Sequence, residues 1–306
     1  MKNEIYLREL KWTEQFSAAM QVFSAVFGPI GRVLLFLFLP VSLLESVLMN
    51  RMLSLNLALQ QLMPAPEMIQ AGGQGAVSAA QQSLPLLMQL LSQELLLFAV
   101  TLFLQPVGIV AIAKIVKQYL DGEEIQVGRC ISEALGCMPA ILISGFLFGV
   151  LVLFGSFFIV PGVYFGIAWG FYHYCIALEG KKGWDALRSS AALVRGKWWK
   201  TFGYLFLLGA VGIIWNSVFE VICSFIGNAV IAEGLYHFLC YFSISFVAVG
   251  EVLLYLNRKA MAEGDFVFRT VFVEETADAP AEPVEGTVEG EGTSADAEEK
   301  KEKENN

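Results

Sequence analysis

The stretch MPAILISGFLFGVLVLFGSFFIVPGVYFGIAWGFYHYCIAL, residues 138–178, decides how this chain folds, because its 41 residues contain no Asp, Glu, Lys or Arg. A helix needs about 20 largely apolar residues to cross the bilayer hydrocarbon. The stretch is therefore too long for one crossing and suits two. Proline removes a helical donor and turns the residue before it away from helix, which places the expected break at Pro161-Gly162. Two spans follow, 138–160 and 161–178.

Outward from this pair, the same criterion selects 30–49 and 95–116 on one side and 202–226 and 229–256 on the other, with Gly227-Asn228 as the turn between the last two. The expected fold class is thus all-α, a polytopic membrane protein with six transmembrane helices. Composition agrees, since 56% hydrophobic and 16% charged residues in a 306-residue chain give more apolar surface than a soluble core could hide. The net charge of −9 belongs to one segment: residues 273–306 carry 12 acids and 3 lysines, leaving 17 acids and 17 bases elsewhere. That segment has no aromatic residue and too little apolar area to offset ordering, so a disordered cytoplasmic tail is expected.

Lysine and arginine are retained on the cytoplasmic side during insertion. Lys2, Arg8, Lys11 and Arg32 precede or begin the first span, Lys114, Lys117 and Arg129 surround the second connection, and Lys181, Lys182, Arg188, Arg195, Lys197 and Lys200 fill the fourth. Arg258, Lys259, Arg269 and the tail lysines follow the last span, and Arg51 alone falls on the outer side. Both termini are therefore expected in the cytoplasm, with the protein in the cell membrane. The first 29 residues hold three bases and three acids without a long apolar run, so no cleavable leader is expected and the first span serves as signal anchor.

Three cytoplasmic stretches, 10–27, 125–135 and 184–194, place apolar residues at helical spacing just before a pair of spans. Trp184, Leu187, Ala191 and Val194 line one face while Asp185, Arg188 and Arg195 lie away from it, the pattern of a helix in the interface plane. The expected plan is a cytoplasmic amphipathic segment at 1–29, a six-helix domain at 30–260 built from three hairpins, a short segment at 261–272 and the tail at 273–306. Residues 50–94 form the long outer connection, expected as two short amphipathic helices around the Ala71-Gly72-Gly73-Gln74-Gly75 break. This connection and the acidic tail are the surfaces open to protein partners; membrane lipid is the other expected partner.

The segments Val160-Pro161-Gly162-Val163-Tyr164-Phe165 with Ala168-Trp169, then Leu178-Glu179-Gly180-Lys181-Lys182-Gly183-Trp184-Asp185-Ala186-Leu187-Arg188-Ser189-Ser190, then Val194-Arg195-Gly196-Lys197-Trp198-Trp199, carry a resemblance. Together they resemble a broad group of uncharacterised bacterial six-helix membrane proteins that includes the membrane domain attached to some glycerophosphodiester phosphodiesterases. The resemblance implies fold and membrane location and brings no catalytic residues, because the hydrolase part of the fused enzymes is a separate soluble domain.

Ionisable groups inside spans are costly and often functional. Arg32 and Glu251, near the inner face, would either pair and close the bundle or belong to a polar path, with His173 as a second partner for Glu251. Gln105-Pro106 marks a broken helix whose freed backbone groups would line a polar cavity. Toward the outer face lie Glu45, Glu94, Glu220, Glu233 and His237, with Asn216 one turn below Glu220; a lone histidine among scattered carboxylates is a weak metal signal, and no metal or cofactor is expected. Gly162, Gly166 and Gly170 would form a small-residue face, with Gly145 and Gly149 on the preceding helix as its partner, either within the bundle or between copies in an oligomer. The five cysteines, Cys130, Cys137, Cys175, Cys223 and Cys240, read as reduced structural thiols.

No nucleophile elbow, zinc-protease, phosphate-loop or dinucleotide motif occurs, so an enzyme is not expected. The basic residues track the membrane face and the free tail is acidic, which argues against nucleic acid. Two functions stay open: a non-catalytic protein that organises partners or lipids, and a small-molecule transporter or export component.

Overall fold

A computed structural model describes residues 8–62 and 74–277. Among these residues every regular element is helical and there is no strand. The chain divides into two units, Met1–Gly264 and Asp265–Asn306, of which 265–277 is helical. The expected tail lies outside the described residues from 278 onward.

Ten helices follow in order among the described residues: α1 (Trp12–Ala25), α2 (Phe27–Leu62), α3 (Gln74–Asp121), α4 (Val127–Gly136), α5 (Met138–Ser156), α6 (Ile159–Trp169), α7 (Tyr172–Glu179), α8 (Gly183–Val194), α9 (Trp198–Ser224) and α10 (Ala229–Ala277). The short helices α1, α4 and α8 occupy the three stretches where amphipathic spacing placed them. Among the described residues five helices are long and apolar enough to cross a membrane: α2, most of α3, α5, α9 and residues 229–264 of α10. The remaining expected span is instead divided into α6 and α7, 11 and 8 residues long.

The turn between α5 and α6 lies at Phe157-Phe158 rather than at Pro161-Gly162. Pro161 is the third residue of α6, in the first turn, where a missing N–H costs nothing because that donor has no helical acceptor. The real interruption lies further on, at Gly170-Phe171. The expected break at Gln105-Pro106 is likewise absent, since α3 runs without interruption through both Pro85 and Pro106. The connection expected at 50–94 is helical over its described residues. Helix α2 continues past Asn50 to Leu62 and α3 begins at Gln74, because Leu, Ala, Met and Gln propagate a helix and no breaker stands between Asn50 and Leu62. Only 63–73 of that connection lies outside the described residues.

The packed centre is made by α2, α3, α7 and α10, which contribute Phe38, Ile112, Tyr174 and Tyr255 among the largest fully buried side chains. In α2 a π-helical turn, Leu34–Phe38, directs Phe38 onto Tyr241 of α10, with ring centroids 4.4 Å apart. A Cβ at Gly108 of α3 would lie 2.0 Å from the Phe38 ring, so only glycine admits it. Gly250 plays the same part in α10, where a Cβ would meet Leu208 at 2.7 Å. The expected glycine face is only partly packed within the chain. Gly162 packs closely, but on Ser156; Gly145 faces the Tyr172 hydroxyl; Gly149 and Gly166 have open space; and Gly170 meets only carbonyls of its own helix. Helical spacing shows which glycines share a face, whereas close approach depends on where the neighbouring helix crosses.

Candidate functional site

The break between α6 and α7 exposes backbone groups that a helix would have paired, and one side chain takes two of them. Ser190 of α8, fully buried, donates its hydroxyl to the Ala168 carbonyl (2.9 Å) and accepts the Phe171 N–H (3.1 Å). A discontinuity inside an apolar bundle is tolerated only when its backbone is satisfied in this way. Past the break, Tyr172 and His173 start α7 and line a cavity of about 370 Å³ with Gly170, Thr101, Gln105 and Pro106. Proline has no N–H to offer the carbonyl four residues earlier, at Leu102, which also lines this cavity. The cavity is thus walled by two helix irregularities, the proline in α3 and the break before α7.

Gln105 is shared with a second cavity. Between α3, α9 and α10, a space of about 310 Å³ is lined by Gln105, Asn216, Ser243 and Glu251, with Gly209 and Gly212 leaving room on α9. Glu251 accepts a hydrogen bond from the Tyr174 hydroxyl at 2.8 Å, and none of the described ion pairs reaches it. The Asn216 Oδ1, the Tyr204 hydroxyl and the His173 Nε2 are buried without a protein partner. Of these, His173 lines the first cavity and Asn216 the second; an unpaired buried polar atom costs about 1–3 kcal/mol.

The expected ion pair between Arg32 and Glu251 is not formed, because Arg32 lies exposed on α2 while Glu251 turns to a phenol. His173 does not meet Glu251 either; its ring packs edge-on against Tyr172 and Tyr174. Toward the other end, Glu45, buried on α2, accepts the Tyr241 hydroxyl at 2.6 Å, and His237 stands 3.6 Å from both Glu45 and Glu233. Among the described residues no group of three such side chains is placed to hold a metal ion. Glu220 lies exposed on α9. All five cysteines are free thiols.

Sequence reading missed a second constellation, where the bases gather. Glu9, just before α1, meets Arg258 of α10 at 2.8 Å, Lys200 at 3.1 Å and Lys197 at 3.4 Å. Burial opposes ionisation of Glu9, but hydrogen bonds from Lys200 and Arg258 and the charge of Lys197 override it and hold its carboxyl at about 2. Asn257 beside it accepts from Leu10 N–H and Gln15 and donates to the Arg8 carbonyl, so one turn of α10 anchors the segment before α1. Glu179, at the end of α7, pairs with Lys181 and Lys259 and accepts the Tyr255 hydroxyl. Glu133 of α4 joins Lys114 and Arg129, both at 2.8 Å, and these hydrogen bonds lower its carboxyl from the usual range.

The helical body just described matches a family defined as a domain of unknown function, DUF7847, over residues 68–273. The chain belongs to this family. The DUF7847 region runs from the start of α3 through all but the end of α10 and so includes both cavities. No curated protein and no solved structure matches the chain. The resemblance to bacterial six-helix proteins and to the membrane domain of glycerophosphodiester phosphodiesterases gains no support from these comparisons.

Proposed function

We propose that this chain is a non-enzymatic, multi-pass protein of the cytoplasmic membrane that binds a small polar molecule within the bilayer and carries it across, the transporter reading. The observation that carries it is the cavity between α3, α9 and α10, where Gln105, Asn216, Ser243 and Glu251 converge without a basic partner. Six crossings underlie the proposal, with α6 and α7 counted together as one broken span, three hairpins each introduced by α1, α4 or α8, and both termini on the basic, cytoplasmic side. Discontinuous helices at a midplane site recur in such proteins. The Gly170-Phe171 break supplies one, and Pro106 faces the same cavity from the continuous α3.

The test is access to water. With the five native cysteines replaced by serine, Asn216→Cys and Gln105→Cys are treated with a membrane-impermeant maleimide from each side. Labelling of either residue from at least one side supports the reading; labelling only by a lipid-soluble reagent overturns it. A second reading, a protein that organises lipids or partners, draws on α9, which exposes Phe206, Ile213, Ile214, Val218, Val221 and Ile222. Lipid or another chain must cover that surface.

A further inference from the structure

The cavity at the basic end is separate from the intramembrane pair and has a different chemistry. It measures about 450 Å³ and is lined by Glu9, Lys11, Trp12, Lys200 and Arg258, among others. Around it, three cations, Lys197, Lys200 and Arg258, share one carboxylate, Glu9, so the cluster keeps a net charge of +2. Arg258 is only 4% exposed and lines the cavity, and its Nε is buried without a hydrogen-bond partner. Lys197 occupies the N-cap position of the 27-residue α9 and Lys200 lies in its first turn, where the helix dipole already favours an anion. Cations at this end of a helix are unfavourable unless an anion compensates them.

We propose that this cavity binds a phosphate group, with Arg258, Lys200 and Lys11 as its ligands and Glu9 as the resident anion that holds the cations in place when the site is empty. Guanidinium and ammonium groups around a single centre match a phosphate dianion. Lipid is the favoured source. Along α1 from Trp12, Phe16, Met20 and Phe23 open onto an apolar cavity of about 200 Å³ walled by Trp215, Phe242 and Phe246, a place for an acyl chain beneath a head group. The inference stands apart from the transport reading, because it uses neither Gln105 nor Glu251.

The experiment uses the full chain in a non-ionic maltoside detergent, with two probes: phosphatidic acid retained in native mass spectrometry, and inorganic phosphate titrated by calorimetry. Lys200→Gln, on a side chain 60% exposed and thus safe for folding, should weaken binding about tenfold. Glu9→Gln should strengthen binding by a similar factor, because it removes the competing anion; a merely structural ion pair would not give a gain. Retention of phosphatidic acid assigns the site to a lipid head group, whereas binding of inorganic phosphate alone assigns it to a soluble phosphate. If neither probe binds, or if both variants bind as the unaltered chain does, the proposal is wrong.

Discussion

At the basic end of the bundle, Glu9, Glu133 and Glu179 each meet two or more cations within 3.6 Å; in its interior, Glu251 meets one phenol, and Asn216, Tyr204 and His173 keep polar atoms that nothing in the protein satisfies. The first region pairs its charges, the buried Arg258 among them. The second leaves polar groups unpaired where each costs most. Folding alone does not account for the unpaired interior groups, which is why the proposed function assigns them to a ligand, whereas the paired ends frame the helices.

Ser190 is the sharpest way to break this comparison, because it is the interior polar group whose bonds the fold itself needs. Ser190→Ala leaves the Ala168 carbonyl and the Phe171 N–H without their partner, at a cost of about 2–4 kcal/mol. Thermal unfolding in detergent should register that loss, while Ser189→Ala, on a partly exposed neighbour, should stay within about 0.5 kcal/mol. Equal effects would mean that the break needs no stitch.

Next in size is Arg258→Met, which keeps the buried stem and removes the charge. Breaking a buried pair costs about 3–5 kcal/mol, and partial exposure of Glu9 at 31% brings the expected loss to about 1–3 kcal/mol. Glu9 itself supplies a milder pH effect. Its folded value of about 2 lies below the ordinary 4.5, so its contribution is fully present above pH 4.5 and is lost as pH falls toward 2. Unfolding midpoints of the unaltered chain and of Glu9→Gln should therefore converge across that window. A gap that persists at the acid end would show that the carboxylate is not the stabilising species.

Much of the frame was legible in the sequence. The three amphipathic helices emerged where local periodicity placed them, because a face with a 3.6-residue period needs no knowledge of the rest of the chain. The break was misplaced because proline's effect depends on position: it is costly in a helix interior, free in the first turn at Pro161, and absorbed at Pro106 within the 48 residues of α3. The pairings were invisible for another reason. Glu9 and Arg258 stand 249 residues apart, and nothing local distinguishes Arg258 from Arg32, which lies exposed. Glu45, Gln105, His173, His237 and Glu251 were legible as costly polar residues in apolar surroundings, but the cavity that joins Gln105 to Glu251, and the phenol that holds the latter, required the packing of α3 and α7 on α10.

The smallest expected change in stability belongs to Asn216, and it separates the two regions most cleanly. Its Oδ1 is buried without a partner, so replacing the side chain by one of similar volume removes an unpaired polar group and breaks no hydrogen bond to that atom. Asn216→Leu should therefore leave the unfolding midpoint unchanged or raise it by up to about 1 kcal/mol, because exchanging an unsatisfied buried group for an apolar one is neutral or favourable. Contrast Ser190→Ala, where the hydroxyl removed was fully bonded. If the interior polar groups line a water-filled site, Asn216→Leu should also slow maleimide labelling of Gln105→Cys by closing the cavity between α3, α9 and α10, leaving only the access that residue 105 has from the cavity beside Tyr172 and His173. A large loss of stability with labelling intact would place Asn216 among the groups that hold the fold, and the contrast between a paired frame and an interior kept for binding would fail at that residue.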